Sequence, residues 1–115
     1  MLYTEILNNN RDFLALYHKG KFTASKNIVI YVRKNNLPFN RLGITAGKKI
    51  GNAVHRNRAK RLIREAYRGF APRIKGGMNI IFAARVKTAS ASLETVKNAM
   101  NECFEKAGLF KDENN

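Results

Sequence analysis

The segment KKIGNAVHRNRAKRLIREAYR, residues 48 to 68, constrains the fold most strongly because it carries two patterns at once. At about 100° per residue, the apolar side chains of this segment and its continuation to residue 70 fall in one stripe. The stripe consists of Ala59, Leu62, Ile63, Ala66, Tyr67 and Phe70, and the opposite row consists of Asn57, Arg61, Arg64 and Arg68. The segment therefore predicts a long helix with one face in a core and guanidinium groups on the other.

The positive charge of the chain is concentrated in the same region. The 115 residues contain 22 Lys or Arg and 8 Asp or Glu, a formal net charge of +14. Residues 48 to 75 carry ten basic residues and one acid, residues 21 to 47 carry five basic residues and no acid, and the remaining stretches sum to zero. A concentrated excess is typical of a surface that meets a polyanion. An anionic membrane surface is the competing partner.

The basic helix favours nucleic-acid phosphates over a purely solvated face. Arg58 and Lys60 flank the exposed row, so the positive band extends over several turns at roughly 1.5 Å of rise per residue. The planar fork of arginine pairs two phosphate oxygens and also stacks on unpaired bases. Charges kept only for solubility would be mixed in sign, whereas Glu65 is the only acid in this segment.

The lead-in to this helix, GITAGKKIGN, has a superficial likeness to a phosphate-binding P-loop. The spacing excludes that motif, because Gly43 and Gly47 enclose three residues and Lys48 is followed by Lys49 instead of Ser or Thr. Two alternatives remain for the turn that contains Gly51. It is either an ordinary tight turn or an anion site made by Lys48, Lys49 and the free N–H groups of the helix.

The rest of the chain predicts a small α+β domain with elements in the order α-β-β-α-β-α. The first helix covers residues 9 to 18, with cap residues at Asn8 to Asn10 and its end at Gly20. Strands are predicted at residues 27 to 34, 41 to 47 and 78 to 86, with Gly43 and Gly47 marking close backbone approach or a bend. Ser92 caps a last helix, and residues 110 to 115 form a frayed tail of the single domain, residues 1 to 115. The apolar stripe of that last helix consists of Leu93, Val96, Met100, Cys103, Phe104 and Ala107.

Composition and motifs argue against several other classes of protein. Apolar runs are too short to span a membrane and the start MLYTEILNNN is unlike a signal peptide, so a cytoplasmic location is expected. Cys103 is the only cysteine, so it forms no intramolecular disulfide and is expected to be chemically silent. A protein-only nuclease would need paired acids or a His-based acid-base pair, whereas His18 and His55 lie in unrelated segments and the acids are scattered. No catalytic residue and no metal ligand is therefore predicted.

The run KKIGNAVHRNRAKRLIREAYR, with Arg56-Asn57-Arg58 at its centre, closely resembles the signature of the bacterial ribonuclease P protein subunit. The upstream RDFLALYHKG, the GITAGKK lead-in and the later strand ending in AAR resemble the same family, over roughly residues 5 to 110. The resemblance implies a two-layer, ribosomal-protein-like sandwich with a left-handed βαβ crossover, an exception to the usual right-handed rule. It also implies a holoenzyme in which a large RNA, with Mg²⁺ held mainly by RNA and substrate, removes 5′ leaders from precursor tRNA.

The same resemblance assigns roles to individual residues. It implies contact with the RNA subunit for Lys48, Lys49, Arg56, Asn57, Arg58, Lys60, Arg61, Arg64 and, at the end of the band, Arg68. Arg56 projects nearer the apolar stripe, which predicts a position in the first helical turn or in a turn. The resemblance places Phe13, Tyr17 and Tyr31 in a cleft that receives the single-stranded leader.

The aromatic pair on the first helix has two interpretations. Phe13 and Tyr17 are i,i+4 neighbours and would offer adjacent rings on which unpaired bases stack without sequence preference. The alternative is that these rings belong to the core, as aromatic residues of a short helix usually do. In the leader-binding interpretation, Leu14 and Leu16 are the buried anchors of the helix.

Two departures from the family pattern and one rival function stand beside this resemblance. The first ten residues carry no Lys or Arg where family members commonly have a basic N-terminus, which argues against extra RNA contacts there. The last helix carries Glu94, Glu102 and Glu105 and is expected to face away from RNA.

A non-enzymatic RNA binder such as a ribosomal protein would fit the charge and the fold equally well, so only the motif and the aromatic residues distinguish the two. The expected partners are the ribonuclease P RNA and precursor tRNA, with no membrane and no protein partner.

Overall fold

The computed structural model describes residues 4–7 and 10–111, which form three α-helices and five strands. None of these helices is long and apolar enough to cross a membrane. The elements are strand β1 (Thr4–Ile6), helix α1 (Asn10–Lys19), strands β2 (Lys21–Ala24), β3 (Ile28–Lys34) and β4 (Asn40–Thr45), helix α2 (Ala53–Phe70), strand β5 (Met78–Ala84) and helix α3 (Leu93–Ala107). Short 3-10 turns at Lys48–Ile50 and Ala71–Arg73 flank α2.

The strands form one mixed sheet in the order β1-β4-β5-β3-β2. Strand β5 pairs in parallel with β4 and antiparallel with β3, and α2 connects the two parallel strands. The α+β class and the three predicted strands are confirmed. Strands β1 and β2 were not predicted. They are three and four residues long and pair with longer neighbours, β1 with β4 and β2 with β3.

The main core lies between one face of the sheet and helices α2 and α3. Ile28, Ile30 and Val32 alternate along β3 and point to this face, as the period of a strand requires. Helix α2 adds Ile63 and Ala66, among other residues of its stripe. Rings of Tyr67, Phe70, Phe82, Phe104 and Phe110 pack together in this core, with centroids 5.5 to 6.4 Å apart along the contacts of Phe104. Both predicted apolar stripes are thereby confirmed, with Leu62, Leu93 and Ala107 at their partly buried margins.

Helix α1 covers part of the opposite face of the sheet. Leu16 is 1% exposed and packs with Leu7 and with Ile81 of β5. Leu14, the second predicted anchor, is 51% exposed, so that prediction is wrong. Residues two apart on a helix lie about 200° apart and therefore cannot share one face. The predicted caps at Asn8 and Asn9 lie outside the described residues.

Helix α3 has a capped start, as the sequence predicts, and ends at a glycine. The Ser92 hydroxyl accepts a hydrogen bond from the Thr95 amide at 3.1 Å, which confirms the predicted cap. Gly108 ends the helix in the left-handed region, with φ of 68°. Phe110 and Lys111 correct the predicted frayed tail. Phe110 pairs with Ile74 and packs in the core, and the Lys111 amide donates to the Arg73 carbonyl at 2.9 Å. Residues 112–115 of that tail lie outside the described residues.

The thiol of Cys103 is 0% exposed, and burial raises its pKa because the thiolate loses its hydration. We expect native protein to react with a thiol reagent at least about 100-fold more slowly than the same protein in guanidinium, since attack requires an opening of the core. A raised pKa stabilises the folded state below the unfolded thiol pKa of about 8.5, and this contribution is lost as pH rises through the higher folded pKa. The absorbance of the chromophore that the thiol reagent releases measures the reaction rate of the native protein and that of the protein in guanidinium. Equal rates would place the thiol at the surface.

Candidate RNA interface

Helix α2 presents its polar residues on the side opposite the core. Asn57, Arg61, Arg64 and Arg68 are all exposed, and we call these four residues the basic face. Its residues are separated by three or four positions, so they follow one another along the helix surface. Arg68 makes an ion pair with Glu65 at 3.3 Å, with both side chains more than half exposed. A surface pair of this kind is worth about 0 to 1 kcal/mol, so the guanidinium stays available to a stronger anion.

The other predicted basic residues of α2 differ in their surroundings. Arg58 is exposed but its Nε donates to the Ala89 carbonyl at 2.7 Å, which draws this side chain toward the loop before α3. Lys60 is half-buried. Arg56 lies in the first turn, as its projection predicted, and is half-buried with its Nε unpaired within residues 4–7 and 10–111. The structure thus separates an exposed row from flanking residues that are half-buried or, in the case of Arg58, bonded to the protein.

A tight turn carries the chain from β4 into α2. Lys48 and Lys49 are exposed in the 3-10 turn, and Gly51 follows with φ of 133°, a conformation that favours glycine. The Asn52 side chain accepts a hydrogen bond from the His55 amide at 3.1 Å and lies 2.8 Å from His55 Nδ1. Asn52 therefore caps the helix, and both lysines stand just before its positive end.

Four aromatic rings form a continuous row across the face of the sheet that carries α1. We call Phe13, Tyr17, Tyr31 and Phe22 the aromatic row. The ring centroids of Phe13 and Tyr17 are 6.5 Å apart, those of Tyr17 and Tyr31 are 4.7 Å apart, and those of Tyr31 and Phe22 are 6.0 Å apart. Tyr17 is 40% exposed and Phe22 is 67% exposed, whereas Phe13 and Tyr31 are half-buried. The structure brings the three predicted aromatic residues together and leaves each of them partly exposed.

Phe22 was not predicted as a site residue. It lies on edge strand β2, directly opposite Tyr31 on the neighbouring strand. Recognition of β2 would have revealed it, because paired residues on adjacent strands point to the same face. Its exposure extends the row to the edge of the sheet.

Gly43 lies against Phe13, at the end of the aromatic row opposite Phe22. A Cβ atom at this position would lie 2.7 Å from Cζ of Phe13, so the ring edge rests directly on the backbone of β4. The predicted close approach is confirmed at Gly43. At Gly47 the alternative of a bend applies, because apart from its chain neighbours no described atom lies within 4 Å of a Cβ built there, and Gly47 directly precedes the 3-10 turn. Strand β4 therefore supports Phe13 and then leads into the turn with Lys48 and Lys49.

The acidic side chains near these surfaces are engaged in other contacts. Asp12 pairs with Arg41 at 3.2 Å, and Glu65 pairs with Arg68. In the part of the chain that the structure describes, no group of three His, Cys, Asp or Glu residues could hold a metal ion. What the two surfaces offer is positive charge and partly exposed aromatic rings, which suit the backbone and the bases of RNA.

Comparisons with known proteins agree on one family. The family model for Ribonuclease P matches residues 1–108. The ribonuclease P protein component of Thermoanaerobacter pseudethanolicus is 40% identical over 104 residues, 90% of this chain and 90% of that protein. Its counterpart from Alkaliphilus metalliredigens is 39% identical over 104 residues, 90% of this chain and 94% of that protein. The solved structure of the Staphylococcus aureus RNase P protein aligns with a TM-score of 0.82 at 33% identity, over 92% of this chain and 97% of that one. The chain therefore belongs to the ribonuclease P protein family.

Proposed function

We propose that the chain serves tRNA 5′ maturation through two separate surfaces. As a ribonuclease P protein, it is a subunit of the ribonucleoprotein that removes the 5′ leader of precursor tRNA. The basic face of α2, with Lys48, Lys49, Arg56, Arg58 and Lys60, binds the RNA subunit. The aromatic row binds the single-stranded leader.

The observation that carries the second assignment is the partial exposure of the aromatic row. A ring that served only the core would be buried, as Phe82 and Phe104 are at 0% exposure. Tyr17 and Phe22 instead keep 40% and 67% of their surface open. Stacking on such rings is tolerant of sequence because every base has a π-face. That tolerance suits a protein that must accept leaders of many sequences.

The basic face supports the first assignment by its density of charge. Three exposed arginines of the face lie on one side of a single helix, with two lysines at its start. Counterion release makes such contacts strong at low salt and weak at high salt. Base identity plays no part in contacts of this type, so the face would recognise the shape and phosphates of a folded RNA.

Magnesium belongs mainly to the RNA subunit and the substrate in this proposal. Around the basic face the acid that the structure describes is Glu65, which is paired with Arg68. This arrangement does not fit a magnesium site on the protein, since Mg²⁺ needs free carboxylate or phosphate oxygens. The protein contributes positive charge and positioning. A cytoplasmic location, where precursor tRNA is made, completes the proposal.

The leader assignment is tested by Tyr17→Leu and Phe22→Leu in the holoenzyme. Each variant keeps apolar volume but loses a stacking ring, so we expect at least about fivefold weaker binding of precursor tRNA, given about 1 to 3 kcal/mol per stacked base. Mature tRNA should bind with unchanged affinity. Leu14→Ala is the matched control, since Leu14 is exposed on the same helix outside the row. Equal losses for precursor and mature tRNA, or an equal loss in the control, would contradict the assignment.

A further inference from the structure

A second basic surface lies at the end of the sheet where strand β3 and helix α3 both finish. A cleft of about 530 Å³ opens there. Five cationic side chains line this cleft, which we call the basic cleft: Lys19, Lys21, Arg33, Lys34 and Lys75. All five residues are exposed, and no acidic residue lines the cleft among those that the structure describes.

Protein contacts do not balance these five charges. None of the five side chains makes an ion pair or a hydrogen bond within residues 4–7 and 10–111. The end of α3 lines the cleft with Ala107 and Gly108, and a helix C-terminus carries roughly half a negative charge. Five full positive charges exceed what this helix end requires. Like charges around one concave surface repel each other and concentrate positive potential, which a bound polyanion relieves.

The basic cleft opens on the side of the sheet that carries α2 and α3. Val32, Ala107 and Leu109 line it, and all three belong to the main core or pack against it. Lys21 is the cross-strand partner of Val32, and Lys34 follows Val32 by two residues, so both lysines face this side. The aromatic row lies on the opposite side with α1. The sheet therefore separates the cleft from an RNA strand on that row, whereas an RNA bound to α2 lies on the same side as the cleft.

The basic face of α2 leads toward this cleft. Helix α2 connects the end of β4 to the start of the parallel strand β5, so its last turn, with Arg68, lies at the end of the sheet where β5 begins. Strand β5 begins with Met78, which lines the cleft. Arg73 and Lys75 are exposed in the connection between α2 and β5, and residues 66 to 79 contain no acid. Positive charge therefore continues from the basic face along this connection into the cleft.

We propose that the basic cleft binds backbone phosphates of the ribonuclease P RNA subunit and extends the contact made by the basic face. This inference rests on the proposed binding of the RNA subunit by this chain. It adds residues of α1, β2 and β3 to an interface that the sequence places on α2 and the turn before it. The cations in the cleft contact the RNA backbone, so they read no base sequence.

The test measures binding of the full chain to ribonuclease P RNA without tRNA, by filter binding across a salt series at one Mg²⁺ concentration. Lys21→Gln/Lys75→Gln removes two charges that come from different segments of the cleft. Affinity for the RNA should fall at least about fivefold at 0.1 M salt, and the log-log salt slope should fall by about 1.8, given about 0.9 per phosphate contact. Lys21→Arg/Lys75→Arg keeps both charges and should keep the wild-type slope. Circular dichroism checks that each variant folds.

Lys87→Gln/Lys97→Gln is the charge-matched control. Both lysines are exposed, and Lys97 lies ten residues before Ala107 on α3, about 15 Å from the cleft along the helix axis. The control should keep a slope at least about 1 unit steeper than that of the cleft variant. An equal fall in the control would reduce the effect to net charge and overturn the inference. Unchanged affinity and slope in the folded cleft variant would overturn it as well.

Two further measurements separate this inference from the assignments on which it builds. If the cleft variant binds the RNA subunit as wild type does, and its holoenzyme binds tRNA more weakly, the cleft meets the substrate and the inference fails. Arg61→Ala/Arg64→Ala is measured beside the cleft variant. A loss of RNA affinity in the cleft variant alone would refute the assignment of the basic face and leave phosphate binding in the cleft standing. A loss in the arginine variant alone would do the reverse.

Discussion

Purified protein without RNA should leave precursor tRNA intact at every Mg²⁺ concentration, and addition of ribonuclease P RNA at low Mg²⁺ should restore 5′ cleavage. Three described carboxylates support the first half of this expectation, because Asp12, Glu65 and Glu102 lie on three different helices and each is paired with a basic side chain. The second half follows from charge. Residues 48 to 75 supply a net +9 that replaces part of the ion atmosphere an RNA needs to fold and bind substrate.

The measurement is 5′-end formation with protein alone, RNA alone and both, across a Mg²⁺ titration. Stimulation should depend on the presence of a leader, which separates this protein from a basic RNA binder that only screens charge. A ribosomal protein of similar charge is the control. Cleavage by RNA-free protein would refute catalysis by the RNA subunit, and equal stimulation by the control would reduce the role of this chain to screening.

Arg61→Ala/Arg64→Ala should weaken binding to the RNA subunit by at least about tenfold at 0.1 M salt and flatten its salt dependence. Each lost phosphate contact lowers the log-log slope by roughly 0.9, so two contacts lower it by about 1.8. Both residues are exposed on the side of α2 away from the core, so the fold should survive. Filter binding across a salt series measures affinity and slope together, and circular dichroism checks the helix content.

Arg61→Lys/Arg64→Lys is the matched comparison, because lysine keeps the charge and loses the planar fork. If both arginines make bidentate phosphate contacts, the lysine variant should keep the slope but bind more weakly than wild type. An unchanged salt slope in the alanine variant would show that the basic face does not contact the RNA subunit. A lysine variant that matches wild type in affinity would reduce the contacts to simple charge.

Long helices could be predicted from the sequence with their faces assigned, and short edge strands could not. Helix α2 has 18 residues, so its apolar stripe repeats often enough to fix both the buried and the exposed side. Strand β2 has four residues, and it is held by backbone hydrogen bonds to β3 that no local pattern records. Because β2 was not predicted, Phe22 was not predicted as a site residue either.

The residues of the candidate site differ in the same way in how far the sequence predicts them. Tyr17 and the basic face follow from local spacing and from the family resemblance, whereas the open end of the aromatic row depends on strand pairing. The burial of Phe110 likewise depends on a contact with Ile74, 36 positions earlier in the numbering. The few residues near the end of the chain carry no local sequence pattern that predicts such a contact. Family membership, rather than charge or fold, decides between a ribonuclease P protein and a ribosomal one.

Strand β5 supports both the basic helix α2 and the aromatic row, because its successive residues face opposite sides of the sheet. Phe82 packs against Tyr67 beneath the basic helix, with ring centroids 5.6 Å apart, while the neighbouring Ile81 packs with Leu16 beneath the aromatic row. A buried central strand is the least deformable part of a small domain. The sheet and helix α2 together separate the aromatic row from the basic face, so in the proposed function the protein acts as a rigid spacer between the RNA subunit and the leader.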